Sequence, residues 1–85
     1  MFNLYFCDIY NNEKFISSFN SLEYLQKLIL DFLKNNCYNF DKLELTGIDE
    51  NDRVIINYGS NTHFFIVDGD KETLFILFNT NTLIG

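Results

Sequence analysis

Proline, tryptophan and alanine do not occur in this 85-residue chain. With no proline, every turn must come from residues that tolerate unusual backbone angles, chiefly Asn, Asp, Gly and Ser. Glycine is scarce, at four residues, which leaves no glycine-rich phosphate loop and no flexible linker. There is one histidine, His63, and there are two cysteines, Cys7 and Cys37, which lack metal-ligand spacing. Cations are also few: six Lys and Arg stand against twelve acids, a formal net charge of −6 and a pI near 4.4. Such a protein is repelled by nucleic acid and by anionic membranes, so neither is expected as a direct ligand. No apolar run is long enough to span a bilayer. With no signal peptide ahead of the cysteines, the expectation is a soluble cytoplasmic protein with reduced thiols.

What the chain has is aromatic mass. Ten Phe and five Tyr contribute to an apolar content of 47%, and mean hydropathy is close to zero at −0.05. This is the composition of one small globular domain, residues 1–85, whose core is filled by large side chains. Residues 2–10 read as a strand, 11–13 as a turn and 14–19 as a returning strand. The clearest element is a helix over about 21–35. Asn20 is its expected N-cap, with Glu23 as capping-box partner and a Phe19–Tyr24 staple. Leu22, Leu25, Ile29, Phe32 and Leu33 fall on one face, and Glu23, Lys27, Asp31 and Lys34 on the other. Asn35 and Asn36 mark its end. Four further strands follow, at about 42–47, 53–58, 63–67 and 73–78, separated by turn-forming residues. The predicted fold is α+β, in the order ββαββββ. One amphipathic helix packs on an antiparallel sheet, either flat or strongly curved.

The segment 63–79, "HFFIVDGDKETLFILFN", does not alternate. A strand sends successive side chains to opposite faces, so both faces of this predicted hairpin are apolar. One helix covers one face. The expectation sets Phe64 and Ile66 on the helix side and Phe65, Val67, Phe75 and Leu77 on the other, with the swapped assignment left open. The second face is then covered in one of three ways. The N-terminal hairpin (Phe2, Leu4, Phe6, Phe15, Ile16) folds over it, the sheet curls, or a partner or second copy packs there as in a homodimer.

The acids are unevenly spread. Residues 41–85 carry a net −5 and residues 1–40 a net −1. Six acids lie in or beside two turns: Asp49, Glu50 and Asp52, then Asp68, Asp70 and Glu72. In a meander, alternate turns share an end of the sheet. These two would stand roughly 10 Å apart, with Arg53 and Lys71 to offset them. Such an acidic pole suits a basic patch on a larger protein, although acids in turns also serve solubility alone.

Other chemistries find less in the sequence. "DGDKE" offers carboxylates for Ca²⁺ but lacks the order and distal Glu of a calcium loop, so no metal or cofactor is expected. A Cys37–His63 pair would need adjacency and an orienting third group. No signature supports it, and the chain is read as non-enzymatic.

The composition, with five Lys to one Arg and abundant Asn, is that of an AT-rich genome: a low-GC bacterium, or a phage or mobile element infecting one. In length, acidity, AT-rich composition and lack of a catalytic motif, the chain resembles the small acidic inhibitors of phages and mobile elements, anti-CRISPR proteins and DNA mimics among them. The resemblance implies binding to a nucleic-acid-processing complex such as a CRISPR effector, with the six acids standing where phosphates sit. Two alternatives stand beside it. One is an immunity protein or antitoxin neutralising a basic toxin; the other is a small structural phage protein that self-associates through the apolar sheet face.

Overall fold

The computed structural model describes residues 1–21, 23–40, 42–70 and 72. Along the chain run β1 (Phe2–Asp8), β2 (Glu13–Phe19), α1 (Glu23–Asn35), β3 (Glu44–Ile48), β4 (Val54–Asn57) and β5 (His63–Asp68). The strands form one antiparallel sheet in the order β2-β1-β5-β4-β3, and α1 makes the fold α+β. The strand expected at 73–78 lies outside the described residues.

The meander β3-β4-β5 forms as its short turns dictate. What periodicity does not reveal is the pairing of β1 with β5, from Asn3↔Asp68 to Asp8↔His63. The N-terminal hairpin therefore extends the sheet sideways instead of layering over it. This pairing makes β5 a central strand, flanked by β1 and β4. A strand with a neighbour on each side and cover on both faces has no reason to alternate, which accounts for "FFIV".

Register fixes the faces. Leu4 pairs with Val67 and Phe6 with Phe65, while Val54 and Ile56 meet the same two residues from β4. All six belong to the core that also holds Leu25, Ile29 and Leu33 of α1. The structure thus takes the swapped assignment, with Phe65 and Val67 on the helix side and Phe64 and Ile66 on the other. Phe65 and Val67 are wholly buried within the fold, which corrects their expected place on an exposed interaction face.

The helix is capped by Ser21, not by the expected Asn20. The Ser21 Oγ accepts the Glu23 N–H at 3.2 Å and the Ser21 carbonyl accepts that of Tyr24 at 3.1 Å. Capping of this kind contributes about 1 kcal/mol. Burial of Leu25, Ile29 and Leu33, all essentially inaccessible, contributes roughly 1.5–3 kcal/mol for each side chain. Packing, more than capping, holds α1 in place.

A salt bridge crosses the sheet diagonally. In a flat sheet, β2 and β4 would lie three strand spacings, about 14 Å, apart. Yet Arg53, just before β4, bonds Glu13, the first residue of β2, at 2.8 Å. The two residues lie at opposite ends of strands three places apart, and the right-handed twist of strands lifts such diagonal positions toward each other.

Candidate functional site

Two turns border the face of the sheet opposite α1, and they are built alike. In the 8–12 turn, Asp8 Oδ1 accepts the N–H groups of Tyr10 at 2.8 Å and Asn12 at 3.1 Å. In the 49–53 turn, Asp49 Oδ1 accepts those of Asn51 at 2.9 Å and Arg53 at 2.8 Å. The fourth residue of each is left-handed, Asn11 at φ 66° and Asp52 at φ 61°. The fifth residue donates a side-chain N–H to the other carboxylate oxygen: Asn12 Nδ2 at 2.9 Å and Arg53 Nε at 2.8 Å. This is a three-residue hairpin loop with an Asp as its internal acceptor.

Between these turns lies a cleft of about 460 Å³. Its floor is Cys7, Ile55, Phe64 and Ile66, and its rim includes Asp8, Glu13, Asp49 and Glu50 around Arg53, the only cation among the described residues that line it. The Arg53 guanidinium donates from Nη1 and Nη2 to the two oxygens of Glu13, at 3.1 and 2.8 Å. Those bonds hold the Glu13 carboxyl below its usual range. Burial pushes the Asp49 carboxyl up, but the Arg53 and Asn51 N–H bonds and the guanidinium outweigh it and leave it lowered. The Asn12 side chain and backbone lower Asp8. Burial, with Glu13 nearby, pushes the Cys7 thiol up to about 11, so it is un-ionised near neutral pH.

The expected acidic pole divides. Because Val54 pairs with Val67, Asp68 lies beside Arg53, so the 49–53 turn and residues 68–70 share one end of the sheet. Glu50, Asp52, Asp70 and Glu72 are exposed there and Asp68 is half-buried. Asp49 differs, since its carboxylate is committed to its own turn and to Arg53. Arg53, expected to offset the pole, instead has its guanidinium tied to Asp49 and Glu13. Of the apolar candidates, Phe65 and Val67 are core, and Phe75 and Leu77 lie outside the described residues. The sequence reading missed Asp8 and Glu13 as members of the cleft. The Asp8 turn carried a signal, since an Asp three residues before a second turn-forming residue is the same pattern at Asp8–Asn11 and Asp49–Asp52. Nothing local announced the Glu13–Arg53 contact.

Cys37 is exposed in the helix C-cap at φ 58°. The His63 ring stacks on Phe6 at 5.2 Å, and its Nδ1 lies 2.8 Å from the Thr62 hydroxyl. Among the described residues, no group of three or more His, Cys, Asp or Glu side chains is placed to hold a metal ion, and no helix is long and apolar enough to cross a membrane. Comparison with protein families, curated proteins and solved structures finds no match for this chain.

Proposed function

We propose that the protein is a non-enzymatic binding module that occupies a basic surface of a larger, nucleic-acid-processing protein, as inhibitors of CRISPR effectors do. The observation that carries this reading is the end of the sheet that the 49–53 turn shares with residues 68–70. Glu50, Asp52 and Asp70 are exposed there, and the guanidinium of Arg53 is already held by Asp49 and Glu13. A surface with an excess of acids steers a basic partner and competes with phosphates for it. The bacterial-host origin suggested by composition gives the partner its setting. Self-association through Phe65 and Val67 finds no support, because both are inside the fold.

The test uses the chain and a variant with Glu50, Asp52, Asp68, Asp70 and Glu72 changed to their amides, leaving the structural Asp49 intact. Each is immobilised, host proteins are captured, and the captured protein's binding to duplex DNA is measured with and without the module. The reading expects one captured nucleic-acid-binding protein, loss of its DNA binding on capture, and at least tenfold weaker capture by the amide variant or at high salt. Capture that is indifferent to both changes, or that leaves DNA binding intact, would sink it.

A further inference from the structure

The face opposite α1 presents Tyr5, Cys7, Ile55, Phe64 and Ile66 by register, yet Cys7 and Ile66 are buried. Arg53 crosses this face. Its guanidinium carbon lies 5.9 Å from the Tyr5 ring centroid, and its far end bonds Glu13, the cross-strand partner of Cys7. Its near end is anchored by Nε on Asp49 at 2.8 Å.

We propose that the Arg53 side chain is a releasable strap. Held by Glu13, it closes the second face over Cys7; freed from Glu13, it opens that face to solvent while the helix-side core stays folded.

The two anchors are unequal, and this sets where the strap lets go. Asp49 is fixed by backbone N–H groups of its own turn and sits four residues from Arg53. Glu13 comes from the opposite corner of the sheet, and its side chain is 37% exposed. Water and salt reach the Glu13 joint first. Among the described residues, the charged and titratable groups around the strap are Tyr5, Cys7 and Asp8 from the β1 side, Glu13 from β2, and Asp49 and Glu50 from the turn. From β5 come only Phe64 and Ile66. The excess of carboxylate keeps Arg53 tethered at Asp49 after Glu13 releases it. The core of Leu25, Ile29, Leu33, Phe65 and Val67 lies on the other side of the sheet and loses no contact.

Cys7 reports the opening. In a Cys37→Ser background it is the sole thiol, and its reaction with iodoacetamide forms a thioether as iodide leaves and the thiol proton passes to solvent. Each rate is divided by the thiolate fraction, read from thiolate absorbance. Glu13→Gln is expected to speed labelling about fivefold, the factor that about 1 kcal/mol of lost ion-pair energy gives. About 1 M NaCl should speed the parent protein in the same direction. The urea dependence in both should be much shallower than that of global unfolding, the mark of a local opening. Should Glu13→Gln not fold, Glu13→Asp, with its shorter reach, and the salt series give the same reading. Equal rates in two folded proteins, or rates that follow the full urea slope of unfolding, would overturn the strap. No partner is present, so the outcome is independent of the acidic-end test.

Discussion

Cys37 occupies a backbone conformation that suits glycine. Its φ of 58° is left-handed, and its N–H bonds the Lys34 carbonyl at 3.2 Å while that of Tyr38 bonds Leu33 at 2.9 Å. These are the two bonds of a Schellman helix end. A side chain there costs about 1–2 kcal/mol, of which the greater freedom of glycine in the unfolded chain returns about 0.4–1. Cys37→Gly is therefore expected to stabilise the protein by about 0.5 kcal/mol and raise its thermal midpoint by roughly 2–4 °C; a lower midpoint in calorimetry would contradict this. Gly69 is the reverse case. A Cβ at this position would overlap the Phe2 ring and crowd the Met1 carbonyl. The Phe2 ring cannot swing aside, because it is buried and stacked on Phe19 at 5.4 Å. Gly69→Ala should cost about 1–3 kcal/mol, the usual penalty of overpacking, read as a lower urea midpoint at unchanged slope.

Elements in this protein are set by turns more than by strand propensity, and the 8–12 and 49–53 turns show how. In each, one Asp carboxylate satisfies two backbone N–H groups that the hairpin leaves unpaired. Asp49→Ala removes those acceptors and one anchor of Arg53, and should cost about 2 kcal/mol. Asp49→Asn keeps the Oδ1 acceptor and loses the charge, so about half that cost is expected in urea titrations. Equal costs would mean that the charge, not the turn, matters. These turns also explain what was legible. β1, β2, β3, β4 and β5 each lie within a few residues of their expected places, because strand propensity and turn residues are local. The β1–β5 pairing was not legible, since no residue of "FNLYFCD" encodes its distant neighbour. For the same reason Phe65 and Phe64 could not be assigned to faces: in a central strand both faces are apolar, and periodicity loses its meaning. The helix cap moved from Asn20 to Ser21 because both residue types cap well and only packing against the sheet chooses between them.

For the molecule as a whole, twist brings diagonal positions of the sheet together and joins three ionised groups across the second face. Folding thereby changes proton affinity in two directions, which gives stability a maximum with two different flanks. Glu13 and Asp49 bind protons more weakly folded than unfolded, and so does Asp8. Their contribution is complete above the ordinary carboxylate range near 4 and is lost as pH falls through the lowered folded values, because the unfolded chain takes up protons that the fold resists. Cys7 acts oppositely. Its thiol rises from 9.0 to about 11 on folding, so its contribution is complete below 9 and is lost as pH rises toward 11, where only the unfolded chain ionises. The urea midpoint should therefore be level between about pH 5 and pH 9 and fall on either side. Glu13→Gln should flatten the acid flank and, by removing a charge that helps hold the Cys7 thiol up, soften the alkaline one slightly. Cys7→Ala should lower the whole curve through the cavity it leaves yet flatten its alkaline flank. Curves that run parallel to the parent on both flanks would show that neither the strap nor the buried thiol couples folding to protons.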